Sequence, residues 1–205
     1  MTVLLIQSHY QDPFTLSAPA FAEATAQGKL ITVRETELTE AHFAAASGLI
    51  TTIHLDQIGF VKYASAVASF LDRGGRWIFN GHMLRPILPE LGIYIPIPQP
   101  KRADFIQTRR FDHPVFAGID QTMLETNRGV AGFYGRGHNP MPSGAIAINT
   151  LGPAAVPVDW IWARPAGGEI LSHAGNEFWG CGDDPDTTKQ LAGRAVAWLA
   201  GELNR

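Results

Sequence analysis

Cysteine is almost absent from this sequence: Cys181 is the only one among 205 residues. No intrachain disulfide can form, and the expected compartment is the reducing cytoplasm. Charge is sparse as well. Charged residues make up 17% of the chain and sum to −3, which argues against a general affinity for nucleic acid. No apolar run approaches the roughly 20 residues that a membrane span needs. The opening Met1-Thr2-Val3-Leu4-Leu5-Ile6-Gln7-Ser8-His9 lacks the basic flank and long apolar stretch of a signal peptide, so it reads as a buried strand and no membrane partner is expected. Internal repeats and low-complexity segments are missing too. What remains is 45% hydrophobic, the composition of a globular chain with enough residues for one sizeable core. A single domain over residues 1–205 is expected.

Strand and helix signals alternate through the first 80 residues. Val3–Ile6 is a short run of Leu and β-branched residues, broken at Asp12-Pro13. Ser17–Gln27 has Phe21 and Ala24 on one helical face and stops at Gly28. Leu30–Val33 reads as a second strand, Thr39–Ala46 as a short helical turn, and Leu49–Ile53 as a third strand ending at His54. Val61, Ala64, Val67, Ala68 and Leu71 repeat at helical spacing, and Arg73-Gly74-Gly75 ends that helix. Arg76–Phe79 is a fourth strand. Near-continuous apolar strands alternating with helices predict an α/β fold: a flavodoxin-like, doubly wound, mostly parallel sheet with helices on both faces.

Residues 86–157 differ. Prolines and glycines are frequent and helical periodicity is weak, so a loop-rich insert is expected. Its stretch from Lys101 to Arg136 carries Lys101, Arg102, Arg109, Arg110, Arg128 and Arg136 against Asp104, Asp112, Asp120 and Glu125, a balanced surface with room for a small anion. Ala145–Asn149, Val158–Ala163 and Glu169–Ser172 read as later strands, some antiparallel or at the edge. Asp186–Leu203 reads as a closing helix with Leu191, Ala195, Trp198 and Leu199 inward. Asp184-Pro185 has the signature of a helix cap followed by proline at the first helical position.

The candidate site residues stand at strand ends, where open α/β sheets bind ligands. The run Ile170-Leu171-Ser172 ends in His173, and Glu177 follows four residues later. A carboxylate that fixes the tautomer of a histidine makes it a base or a metal ligand, so Glu177 is the expected partner of His173. His82 follows the fourth strand, with Asn80 beside it as a donor to a developing negative charge. His9 and His54 end the first and third strands, and with His82 and His173 they would converge at one sheet edge. Such a set suits a divalent metal such as zinc, although no short ligand motif carries it. Arg136, in the glycine-rich loop Gly135-Arg136-Gly137-His138, and Arg128 are candidates for substrate contacts from loops. Cys181 reads either as a packed small residue or as a thiol activated at a helix start. The five Trp residues read as core.

Three phrases carry a family resemblance. Gly74-Gly75-Arg76-Trp77-Ile78-Phe79-Asn80-Gly81-His82 resembles the strand and sharp turn of class I glutamine amidotransferase-like domains, with ThuA-like proteins the nearest relatives. His113-Pro114-Val115-Phe116-Ala117-Gly118 is similar to a phrase common in that group, and Gly168–His173 with the Trp198 helix resembles its last strand and helix. The resemblance implies that His173 and Glu177 occupy the acid–base positions. It also implies a nucleophilic cysteine at the turn after Phe79, where this chain has Asn80, Gly81, His82 and Met83. Without a thiolate there, glutamine hydrolysis is not expected.

Three functions follow as expectations. The first is an enzyme, or a descendant of one, acting on a small polar molecule, with sugar derivatives implied by the resemblance alone. Here His173, Glu177 and His82 do the chemistry, while Asn80, His9, His54, Arg128 and Arg136 hold the ligand. The second is a binding or scaffold protein that forms homo-oligomers through apolar surfaces near the proline-rich segment. The third is a hydrolase using Cys181 with His173.

Overall fold

Five segments build the parallel half of the protein, and the reason they are strands is visible in their burial. A computed structural model describes residues 2–8, 18–127 and 129–203. Strand β1 (Val3–Gln7) is buried along its whole length, as a strand covered on both faces must be. Helix α1 (Pro19–Ala26) starts with proline in its first turn and turns its Ala20, Phe21 and Ala24 inward. Gly28, at φ 69°, ends it. Strand β2 (Leu30–Arg34) is an edge strand with only Leu30 fully buried. Helix α2 (Glu40–Ala45) and strand β3 (Gly48–Thr51) follow.

The helical signal beginning at Val61 divides in two and is preceded by a further short helix, so that three pieces follow one another. These are a short α3 (Gln57–Phe60), whose start is capped by Asp56 accepting from Ile58 and Gly59 N–H, a 3₁₀ turn over Val61–Tyr63, and α4 (Ala64–Asp72). Gly74, at φ 88°, turns the chain into β4 (Arg76–Asn80).

The expected insert is more than decoration. It holds the short pairs β5 (Ile95–Pro96) with β9 (Gly137–His138) and β7 (Thr126–Asn127) with β8 (Val130–Ala131). It also supplies two strands to the main sheet, β6 (Gln107–Arg109) and β10 (Ile146–Leu151). Strands β11 (Val156–Ala163) and β12 (Glu169–His173) then lead to helix α5 (Pro185–Leu199). Asp184 caps α5 by accepting from the backbone N–H and the hydroxyl of Thr187, at 2.8 and 2.7 Å, as its sequence foretold.

The eight strands lie in the order β2-β1-β3-β4-β12-β11-β10-β6. The first five run parallel, and the last three pair antiparallel. The fold is therefore α/β with a mostly parallel central sheet flanked by helices, and the order of its parallel half agrees with a flavodoxin-like arrangement. Apolar side chains collect on both faces. One cluster joins Val3, Leu5, Ile78 and Leu171 to Phe21 and to Leu191 and Trp198 of α5. The other joins Leu4, Leu49, Trp77 and Trp160 to Phe43, Val67 and Phe70. All five Trp are in the core.

Candidate functional site

Cross-strand register assembles a polar row on the α1/α5 face of the sheet. Arg109 faces Asn149, Asn149 faces Asp159, Asp159 faces His173, and His173 faces Asn80. Directly opposed residues on neighbouring strands project to the same face, about 4.8 Å apart, so five strands bring five polar side chains into line. Their contacts form a chain. Arg109 Nε donates to Asn149 Oδ1 at 2.7 Å, and its two terminal nitrogens donate to the carbonyls of Phe116 and Ile119. Asn149 Nδ2 donates to Asp159 Oδ2 at 2.6 Å, and the Tyr134 hydroxyl donates to the same oxygen at 2.7 Å. The other carboxylate oxygen meets His173 Nδ1 at 2.6 Å. Tyr134 also packs edge-on against the His173 ring, and Phe178 does so from another side. Asp159, Asn149 and His173 are fully buried.

This corrects one expectation. The carboxylate that orients His173 is Asp159, reached across the sheet, whereas Glu177 Oε1 accepts from the backbone N–H of Ile53 at 3.2 Å. Proximity in sequence favoured Glu177; strand register delivers Asp159. With Asn149 and Tyr134 both donating to its Oδ2, Asp159 serves this network as an acceptor, and His173 in its neutral form then keeps its proton on Nδ1. Burial, and after it the charge of Asp159, push the Tyr134 phenol well above its ordinary pKa. Tyr134 therefore stays a donor. Asp159 had a signal in the sequence: it is a lone carboxylate in the apolar strand Val158-Asp159-Trp160-Ile161-Trp162, and a buried charge requires partners.

The turn after β4 is fixed from the other face. Gly81 takes φ 113°, and a Cβ there would lie 2.8 Å from the Ile53 Cα, so the left-handed position at this strand end admits only glycine. Gly81 N–H donates to the His173 carbonyl at 2.9 Å. Asn139, which sequence reading passed over, donates from Nδ2 to the Gly81 carbonyl and to Ser172 Oγ, both at 3.0 Å, and accepts from Met83 N–H at 2.9 Å. His82 stacks on Tyr94 with ring centroids 3.7 Å apart. Burial, and secondarily His173, hold its pKa below the usual histidine value.

Beside this turn opens a cleft of about 610 Å³ lined by His54, Asn127, Val130, Phe133, Asn176, Glu177, Trp179, Gly180 and Asp183, among others. It lies beyond the carboxyl ends of β3 and β12, the edge at which such sheets bind ligands. Other clefts lie elsewhere, among them one between α2 and α4 and one at the amino-terminal edge of β4, away from the polar row.

The expected residues distribute as follows. His54 and Glu177 share the cleft, while His173, Asn80 and His82 lie at the adjoining strand ends without lining it. Because β3 ends at Thr51, two residues earlier than expected, His54 sits in the turn beyond it and is exposed. His9 and Arg128 fall outside the described residues. Arg136 is not in the cleft: its guanidinium donates to the carbonyls of Gly132 and Ala131 and covers the Phe105 ring. Its loop pairs with the rest of the chain through β9 and a Gly135–Gly175 bridge. Among the described residues no three His, Cys, Asp or Glu side chains come together as a metal-binding group. Cys181 is fully buried, its thiol donates to the Glu177 carbonyl at 3.3 Å, and burial, then Glu177 and Asp159, push its pKa well above the usual thiol value. That environment suppresses a thiolate.

No family model matches the chain, and no curated protein matches it either. Among solved structures, the cytoplasmic protein STM3548 from Salmonella typhimurium is similar with a TM-score of 0.57 and 10% sequence identity, over 97% of this chain and 99% of that one. At that identity the likeness is one of fold. Among the described residues, no helix is long and apolar enough to cross a membrane.

Proposed function

We propose that this protein binds a small polar molecule in the cleft beside β3 and β12 and does not hydrolyse glutamine. One observation carries the reading: a cleft that combines an aromatic wall, Trp179 and Phe133, with a few polar groups, Glu177, His54, Asn127, Asn176 and Asp183. That mixture, at the carboxyl edge of a parallel sheet, is the usual make-up of a small-molecule site. The absence of glutaminase activity follows from Gly81 at the strand-end turn and from the buried, protonated Cys181. Any acid–base step falls to His173, with Asp159 setting its tautomer.

The doubly wound description of the sheet, the kinship with class I glutamine amidotransferase-like and ThuA-like domains, and a sugar-derived ligand belong to this proposal, as does a cytoplasmic location like that of the Salmonella protein. Screening small polar compounds by thermal shift, followed by titration of Glu177→Gln and Asp183→Asn, tests it. The expected result is a compound whose affinity drops about tenfold or more in these variants, with no ammonia released from glutamine. Ammonia release, or binding indifferent to both substitutions, contradicts it.

A second reading, a homo-oligomeric scaffold, is favoured by Leu84, Ile93 and Ile95, which stand about half exposed beside the proline-rich segment. A monomer by light scattering at high concentration would remove it.

A further inference from the structure

We infer that the strand ends beneath the cleft, Thr52, Asn80 and His173, form a recognition site for a primary amino group, an inference that rests on the cleft being a ligand site. Three buried polar atoms lack a hydrogen-bond partner here: Thr52 Oγ1, Asn80 Oδ1 and His173 Nε2. They belong to neighbouring strand ends. His173 faces Asn80 across β12 and β4, and Thr52 directly follows Thr51, the last residue of β3, whose partner Phe79 directly precedes Asn80. The Asn80 amide donates to the Thr51 carbonyl at 3.3 Å, tying the two chains at this point. Thr51 turns its hydroxyl to the opposite face, where it accepts from Trp77 Nε1, and Thr52, next in the chain, is buried with its own hydroxyl unbonded. Buried polar atoms are normally bonded, so three unbonded ones along one row mark an unfilled requirement.

The chemistry of that requirement can be read atom by atom. A carbonyl can only accept, so the Thr51 carbonyl fixes the Asn80 amide nitrogen on its side and leaves Oδ1 as an acceptor. Asp159 holds the His173 proton on Nδ1, which leaves Nε2 as a lone pair. Thr52 Oγ1 can accept as well. Two of the three atoms can only accept, so the row asks chiefly for donors. The surrounding charge agrees: Glu177 and Asp183 line the cleft, and among its described lining residues there is no Lys or Arg. Glu177 binds the N–H of Ile53, the residue after Thr52, so the cleft wall and this row meet at residues 52–53. A primary ammonium has three donors and no acceptor, and its bonds to such groups are charge-assisted. A hydroxyl brings one donor and lone pairs that need donors in return. A carboxylate or phosphate brings only acceptors. Trp179 and Phe133 supply an apolar wall for the carbon skeleton.

The experiment uses matched pairs that differ in the amino group: D-glucosamine against D-glucose, and ethanolamine against ethylene glycol. They are titrated calorimetrically into the full chain and into Thr52→Val and Asn80→Leu. The amine of at least one pair is expected to bind at least about tenfold more tightly than its alcohol, and this advantage is lost in both variants. Thr52→Val removes an unbonded hydroxyl at constant shape, so it keeps the test valid if Asn80→Leu fails to fold. Equal or tighter binding of the alcohols overturns the inference while leaving the cleft reading intact. So does a non-amine occupant found in the cleft by the broader screen when neither pair binds. Amine preference that survives in Thr52→Val also overturns it, by placing the amine elsewhere. If no compound of any class responds to the cleft substitutions, the cleft reading falls and this inference with it.

Discussion

The two sides of the His173 ring present opposite situations in the same buried environment. On the Nδ1 side every polar group is answered: Asp159 receives His173, Tyr134 and Asn149, and Asn149 receives Arg109. On the Nε2 side, His173, Asn80 and Thr52 each keep a buried atom with no partner. A satisfied buried network stabilises and rigidifies the native state, whereas an unsatisfied one costs stability unless something fills it. On the proposed reading, the contrast separates scaffold from site. The antiparallel strands β11, β10 and β6 carry the satisfied network, and the ends of the parallel strands β3, β4 and β12 hold the buried unbonded atoms that the proposal reads as part of a site.

Substitutions on the two sides should therefore differ in size and even in sign. Asp159→Ala strips the acceptor from three buried donors at once and should destabilise the fold by about 3–5 kcal/mol, measured by urea denaturation. A loss under about 1 kcal/mol would mean that the row contributes little. Tyr134→Phe removes one of the donors to Asp159 and should cost about 1 kcal/mol in the same assay. On the other side, Thr52→Val deletes a hydroxyl with no partner. Its effect should stay within about 1 kcal/mol and lie in the stabilising direction; clear destabilisation would reveal a bond that the structure lacks.

The smallest expected effect is a pH dependence through His82. Its pKa in the folded protein is depressed by burial and by His173, so the folded state favours the neutral ring. The stability this contributes is complete above the ordinary histidine pKa of about 6.5 and is lost as pH falls through the depressed folded value. Melting temperatures measured between about pH 7.5 and 5 should therefore fall further for the wild type than for His82→Gln. Parallel curves for the two proteins would show that His82 titrates as it does in the unfolded chain.

The parallel half was legible in the sequence because its strands are continuous apolar runs ended by glycine or by polar turns. Val3–Ile6, Leu30–Val33 and Arg76–Phe79 match β1, β2 and β4 to within a residue or two. The α5 cap was equally plain, since Asp184-Pro185 acts locally. The antiparallel extension was harder. Gln107–Arg109 is three residues long and partly exposed, and nothing within it announces a strand, because its pairing with β10 comes from residues 40 positions away. The same limit explains the site. His173 and Asn80 could be picked out as polar residues at strand ends. The identity of the carboxylate depended on register between β11 and β12, which local pattern does not contain, although a lone Asp among Val, Trp and Ile was a sign that a partner would be found. Arg136 looked available for a ligand because sequence shows a charge and not the backbone carbonyls it serves.

The most direct test of the account is the ¹⁵N spectrum of the His173 ring in histidine-labelled protein, followed during addition of D-glucosamine and, separately, D-glucose. The expected result is a ring that carries a proton on Nδ1, with an Nε2 resonance that moves with glucosamine and stays still with glucose. A ring protonated at Nε2 instead, or an Nε2 resonance unmoved when glucosamine is saturating, would contradict it.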